Sequence, residues 1–365
     1  MEPYTSRLMK CYQNLESNGF DHLVVTSPYN LKYLLGANID TGERMTVLLL
    51  SPSKKTKLII HQMFSDQVPK SNELEVIYYS DEVEPIKILA AHFSGHENLG
   101  IDQNWLCSFL IDLLKTLPAI RVEKSTIVEK LREIKDEKEI DTLRQSARIA
   151  DAVMYQILQL QHFPTTEREV AATIKSFFAE HGVNELSFKP IIGFGGNSAN
   201  PHHTISDHIS QFNQPILIDM GGVFHDYCSD ITRTFYLGRK NQQFEDLYQI
   251  IREAQEQAIE LVKPGVAFSE IDLFIRKSFA KWGYDQYFIH RTGHGIGLEL
   301  HEGPSIHRNN HDVIQSGMAF SIEPGLYLPN QYGIRIEDIV VVTENGCEIL
   351  NKCSKEVQYL ELLGV

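Results

Sequence analysis

Four carboxylates and one imidazole punctuate the strand-like runs in the second part of this chain: Asp219, Asp230, His294, Glu323 and Glu337. Asp219 ends the apolar run Ile216-Leu217-Ile218, and a carboxylate there costs free energy to bury unless it is paired or bound to metal. Asp230 lies in Tyr227-Cys228-Ser229-Asp230-Ile231-Thr232-Arg233-Thr234. Two antiparallel strands joined through the Gly221-Gly222 turn region would bring Asp219 and Asp230 to one spot. Glu323 follows Met318-Ala319-Phe320-Ser321-Ile322, and Glu337 sits in a run read as one strand, Gly333 to Asp338. In that strand Arg335 and Glu337 share a face and Asp338 points away.

The charges balance: four carboxylates carry −4 and two divalent ions carry +4. Bridging carboxylates can hold two metals ~3.5–4 Å apart around a shared water. Mostly oxygen ligation with one histidine favours Mn(II), with Co(II), Fe(II) or Zn(II) as substitutes.

A chain of 365 residues suits two domains. The first third alternates helix and strand: a helix over Tyr4 to Asn18, then strands over His22 to Ser27, Met45 to Leu50 and Lys57 to His61. This alternation predicts an α/β domain over residues 1–130. A charged stretch from Ile134 opens a long helix with a stripe of Ile140, Leu143, Ala147, Ala150, Met154 and Ile157, which starts a second domain over 131–365. There Thr166-Glu167-Arg168-Glu169 is a capping box and Gly182 ends its helix. Strands over Pro215 to Met220 and Ser229 to Leu237 follow. Helices from about Gln243 to Val262 and Ser269 to Gly283 come next, and then further strands at Met318 to Ile322 and beyond. Helix, helix, strands thus occurs twice, which predicts an α+β domain of two similar halves.

The net charge of −14 argues against nucleic acid or an anionic membrane as the main partner. The start, Met1-Glu2-Pro3-Tyr4, shows no charged-then-apolar leader. Five scattered cysteines without CxxC spacing argue against a disulfide framework or a thiolate zinc site, so a reducing, cytoplasmic setting is expected. The glycine clusters at Gly193 and Gly293 lack phosphate-loop spacing, and there is no HExxH helix.

Asp219-Met220-Gly221 with Tyr227 to Thr234 resembles the first signature of the pita-bread metallopeptidases. Gly293-His294-Gly295-Ile296-Gly297 with His301-Glu302-Gly303-Pro304 resembles the second. Ser321-Ile322-Glu323-Pro324-Gly325-Leu326-Tyr327 and Gly333 to Asp338 resemble the third and fourth. Asn197-Ser198-Ala199-Asn200-Pro201-His202 is similar to the histidine-bearing loop of the Xaa-Pro branch, which holds prolidase and aminopeptidase P. Asn30-Leu31-Lys32-Tyr33-Leu34-Leu35-Gly36 resembles the N-terminal domain that this branch shares with creatinase.

The resemblance implies a creatinase-N-like α/β domain followed by an α+β pita-bread catalytic domain. It implies hydrolysis of Xaa-Pro bonds in short peptides with two divalent metals, and a homodimer. Asp219 would bind one metal and His294 with Glu323 the other, while Asp230 and Glu337 bridge. Glu323 would be the general base. His202 and His301 would bind the scissile carbonyl or shuttle a proton. Arg335, with its fork of donors, would orient the carboxylates beside the substrate. Phe188 reads either as an apolar wall for a proline ring or as core. His203, adjacent to His202, is the structural member of that pair, while His208 and His225 read as loop histidines and Cys228 as a small buried apolar group. One departure stands out. Ser305 occupies a position where several prolidases and aminopeptidases P carry arginine, which leaves dipeptidase and aminopeptidase P activity both open. A metal-free creatinase-like hydrolase would lack the full ligand set. A binding module without catalysis would have lost a ligand or both histidines.

Overall fold

A computed structural model describes residues 3–53, 55–159 and 164–360; the expectation on the start of the chain falls in part on Met1 and Glu2, which lie outside the described residues. The chain divides into two compact units, Met1–Arg132 and Glu133–Val365.

The first unit runs α1 (Pro3–Ser17), β1 (His22–Val25), α2 (Pro28–Leu35), β2 (Val47–Leu50), β3 (Thr56–His61), β4 (Leu74–Tyr79), α3 (Pro85–Ala90), β5 (Asn98–Ile101), α4 (Cys107–Thr116) and β6 (Arg121–Lys124), with α5 (Ile127–Glu133) at its end. Its six strands form one mixed sheet in the order β4-β3-β2-β1-β5-β6. All four residues of β2 are buried, as in a strand covered on both faces. Pro28 starts α2, and Gly36 closes it in the left-handed conformation at φ 68°, its N–H returning to Lys32 O. A Cβ on Gly36 would also lie 2.2 Å from the Tyr4 ring, so glycine is required there twice over.

The second unit begins with α6 (Glu137–Gln159), α7 (Glu167–Glu180), β7 (Ile191–Phe194), β8 (Gln214–Met220), β9 (Val223–Phe224), β10 (Tyr227–Cys228) and β11 (Ile231–Leu237). It continues with α8 (Gln242–Glu260), α9 (Phe268–Ala280), β12 (Gly293–Gly295), β13 (Glu302–Ile306), β14 (Ala319–Ile322), β15 (Gly325–Leu328), β16 (Tyr332–Arg335), β17 (Asp338–Val342), β18 (Cys347–Ile349) and β19 (Tyr359–Leu360). Two larger sheets result, β19-β11-β8-β7 and β13-β12-β14-β17-β18, beside the β15-β16 hairpin. Helices α6 and α7 pack Met154, Ile157, Ile174 and Phe178 against Ile216, Ile218 and Phe235 of the first sheet. Helices α8 and α9 pack Leu247, Ile251, Ile271 and Ile275 against Phe320, Ile322 and Val340 of the second. A helix pair over each sheet gives the two similar halves that the element order suggested.

Two local expectations change. Asp219 and Asp230 do flank antiparallel strands, with Asp219 opposite Thr232. The reversal, however, is made by the β9-β10 hairpin, where His225 and Asp226 have φ of 44° and 73°. Gly221 serves close approach instead: a Cβ there would lie 1.9 Å from Ser229 O. The second change is that Gly333 to Asp338 is not one strand. β16 pairs with β15 and β17 pairs with β14, so the chain leaves one sheet and enters another at Ile336-Glu337. The free backbone groups at this crossing are satisfied elsewhere, Ile336 N–H by Pro324 O and Glu337 N–H by Thr232 O.

The five cysteines are free thiols. Among the described residues no helix is long and apolar enough to cross a membrane.

Candidate active site

Strand ends place the acidic groups. Asp219 is on β8, Asp230 immediately precedes β11, His294 is central in β12, Glu323 follows β14 and Glu337 precedes β17. All five line one cavity of about 880 Å³, which Phe188, His202, His301 and Arg335 also line. Asp230, His294 and Glu337 each offer a ligand atom within 4.8 Å of the other two. His294 Nε2 is 3.6 Å from Asp230 Oδ2 and 3.4 Å from Glu323 Oε1.

The surroundings aim these groups. His294 Nδ1 lies 3.1 Å from Gly295 O, which leaves Nε2 to face the acids. Glu323 Oε1 accepts from Ser321 Oγ at 3.0 Å, and Glu337 Oε2 accepts from Thr232 Oγ1 at 2.7 Å. Arg335 donates from Nε to Thr232 Oγ1 at 3.0 Å, from Nη1 to Tyr327 OH at 2.7 Å and from Nη2 to Asp219 Oδ2 at 2.5 Å. Its fork is occupied by protein groups, so it orients Asp219.

Asp219 Oδ1, Asp230 Oδ1 and Glu337 Oε1 are buried and have no hydrogen-bond partner. Burial first, and then the neighbouring carboxylates, push Asp230 and Glu337 well above the usual carboxylate range. Burial also raises Asp219, against the pull of Arg335. Burial opposes ionisation of Glu323 too, but His294, His290 and Arg335 outweigh it and hold its pKa below the usual value. Buried carboxylate oxygens without donors, facing an imidazole, are the arrangement that a divalent cation resolves. The residues therefore fit a metal.

Phe188 is half-buried on the cavity wall beside Gly221. His202 and His301 are exposed at the same cavity. The His301 ring meets the His294 ring edge to face, with centroids 4.2 Å apart. Cys228 is buried, and burial pushes its thiol up to about 12. His208 and His225 are exposed and outside the cavity.

Sequence reasoning gave no role to His290, Tyr327 or Arg291. His290 Nε2 lies 3.0 Å from Tyr327 OH, extending the Asp219-Arg335-Tyr327 chain. Arg291 lines the cavity with Nη1 3.2 Å from Ser305 Oγ, next to the position where arginine was missing. The sequence signal for His290 and Arg291 is their closeness to His294, and for Tyr327 its place four residues after Glu323.

Paired sheets under helix pairs, with this acid and imidazole cluster at the strand ends, define a metallopeptidase. The chain belongs to metallopeptidase family M24: that family's model matches residues 141–344, and the creatinase/prolidase N-terminal domain model matches 7–134. The fold is accordingly a creatinase-N-like α/β domain followed by a pita-bread α+β domain. The crystal structure of a prolidase from Thermococcus sibiricus is similar, at 33% identity and TM-score 0.93 over 99% of this chain and 100% of that one. The dipeptidase PepE from Mycobacterium ulcerans is also 33% identical, with TM-score 0.93 over 98% of each chain. An X-Pro aminopeptidase from Thermotoga maritima is 28% identical, with TM-score 0.81 over 95% of this chain and 99% of that one.

Proposed function

We propose that this metallopeptidase is an Xaa-Pro dipeptidase that uses two divalent metal ions, most readily Mn(II). The observation that carries the reading is the set of buried, donor-less carboxylate oxygens on Asp219, Asp230 and Glu337 in one cavity, with Asp230 and Glu337 gathered at His294. The likeness to a prolidase and a dipeptidase over nearly the whole chain supports the substrate class. Asp219 would hold one metal, His294 with Glu323 the other, and Asp230 with Glu337 both. When bound, the metals supply Lewis-acid activation of water near neutral pH.

The chain's own groups do the rest. Glu323, whose Oε1 is fixed by Ser321, would take a proton from the attacking water at Oε2 and return it to the leaving nitrogen. His202 and His301 donate to the scissile carbonyl oxygen as it gains charge. Phe188 offers the proline ring an apolar face. Arg291 holds the free carboxylate of the dipeptide, taking the place of an arginine at Ser305. That last contact favours dipeptides. The likeness to an X-Pro aminopeptidase sustains a second reading, removal of the first residue from longer Xaa-Pro peptides. Cytoplasmic location and a homodimer belong to the same proposal.

The test is direct. Protein stripped with a chelator is assayed on Ala-Pro, Leu-Pro and a longer Xaa-Pro peptide, with and without Mn(II). Cleavage of dipeptides restored by Mn(II) is expected. Cleavage that ignores the chelator would overturn the metal role. A Mn(II)-loaded protein that cleaves none of the three would point to a binding module or a creatinase-like hydrolase. Faster turnover of the longer peptide would favour the aminopeptidase reading.

A further inference from the structure

Glu167 is the first residue of α7 and is completely buried. It does not cap its helix: Thr166 Oγ1 accepts from Glu169 N–H, and Glu169 Oε2 accepts from Thr166 N–H, completing the capping box without it. A buried carboxylate at a helix start is costly unless donors surround it. Here five donors do. Glu167 Oε1 accepts from Phe194 N–H at 3.1 Å and Asn197 Nδ2 at 2.8 Å. Its Oε2 meets His203 Nε2 at 2.8 Å and accepts from Ser206 N–H at 2.9 Å and Ser206 Oγ at 2.7 Å. Burial alone would raise its pKa, but Asn197, Ser206 and His203 reverse the shift, so it is held ionised.

These donors lie along the segment from Phe194 to Ser206, on both sides of His202. His202 and His203 both line the cavity, and His203 alone of the two has its ring nitrogen against Glu167. From the other side Gly333 N–H, two residues before Arg335, donates to Ser198 Oγ at 2.9 Å. The loop is thus clamped between the start of α7 and strand β16, and nothing in the helix itself requires the buried charge.

We infer that Glu167 is a positioning residue for catalysis, a buried, five-donor anchor that fixes the 194–206 loop so that His202 faces the scissile carbonyl. This rests on the reading of His202 as a substrate-facing histidine. A misplacement of ~1 Å at a reacting group can cost about a hundredfold in rate.

The test is a double-mutant cycle between Glu167→Gln and His202→Ala in Mn(II)-loaded protein. Glu167→Gln keeps the volume but sets an amide donor against donors. It is expected to lower kcat by roughly ten- to a hundredfold, with KM and bound metal little changed. In the His202→Ala background the same substitution should cost less than about twofold, because the residue it positions is gone. Equal losses in both backgrounds would overturn the inference, as would unchanged kcat in Glu167→Gln. Should Glu167→Gln fail to fold, Ser206→Ala removes one donor and should show the same non-additive pattern at smaller size; additivity there overturns the inference as well. Imidazole nitrogen NMR separates this idea from the substrate assignment. Should the wild type cleave no Xaa-Pro peptide, the functional reading fails on its own. A His202 ring signal that stays in place in both Glu167→Gln and Ser206→Ala would sink the positioning role regardless of activity.

Discussion

Arg335 Nη2 donates to Asp219 Oδ2 across 2.5 Å, joining strand β16 to strand β8 inside the second unit. Arg335 is 3% exposed, and two further donors, Nε and Nη1, end on Thr232 and Tyr327. One oxygen of Asp219 is thereby fixed, and the other is left buried without a donor. The pair fixes the direction in which Asp219 faces the cavity.

Arg335→Met should leave Asp219 buried beside fewer positive charges and free to turn. Metal affinity or kcat/KM is expected to fall about ten- to a hundredfold, the usual cost of removing an outer partner of a ligand. Metal titration by calorimetry together with steady-state kinetics checks this. An unchanged titration would remove the orienting role.

Asp230→Ala should abolish binding of both metal equivalents, because the proposed bridge is lost to each ion. Elemental analysis after dialysis against Mn(II) reads the stoichiometry. Two equivalents retained would show that the bridging assignment is wrong.

In the metal-free protein Asp230 and Glu337 should each make a contribution to stability that falls as pH rises, read against the histidines by the Asp230→Asn comparison. Asp230 and Glu337 have folded pKa values above the unfolded ones, which lie near ~4. Below that value both states are protonated and nothing is lost. Above it the unfolded state releases protons that the folded state retains, so their contribution declines until the raised folded pKa values are passed. Melting temperatures between pH 5 and 8, with chelator and with Mn(II), give the comparison. The gap between the two curves should widen with pH, and Asp230→Asn should flatten the chelated curve. A gap independent of pH would contradict the linkage.

Arg291→Met should raise KM for Leu-Pro by roughly tenfold, since a charge-assisted contact is worth about 1.5 kcal/mol or more. Its effect on the amide of the same dipeptide should be small. Equal effects on acid and amide would show that Arg291 does not hold the carboxylate.

Arg233 and Asp338 form a buried pair at 2.7 Å, each side chain about 1% exposed. Arg233→Met should destabilise the protein by about 3 kcal/mol, the lower end for a broken buried pair. The low end applies because Lys355 Nζ remains 3.0 Å from Asp338. Urea unfolding measures it, and a change under about 1 kcal/mol would mean that Lys355 alone suffices.

The long helices were legible because their apolar stripes and caps are local: the Ile140 to Ile157 stripe of α6 and the capping box at Thr166 both appear as read, whereas the short helices α2 to α5 carried no stripe of that length. Asp219 and Glu323 were legible because a carboxylate closing an apolar strand is conspicuous, and Asp230 and Glu337 because each sits at the start of one. The turn between Asp219 and Asp230 was misplaced, since the glycines at Gly221-Gly222 mark close backbone approach as readily as reversal. The strand through Glu337 was drawn too long, because a chain changing sheets keeps the same apolar run on either side.

The sequence alone determined the long amphipathic helices and which acidic and imidazole groups stand in or beside strands, because periodicity, caps and chain-neighbour chemistry are properties of short stretches. Tertiary structure decided what those groups face. It set the spacing of Asp230, His294 and Glu337, turned Arg335 to Asp219, brought Arg291 to Ser305 and closed the shell of donors on Glu167. Each of these contacts joins residues that only folding brings together, through pairings whose geometry no local pattern encodes.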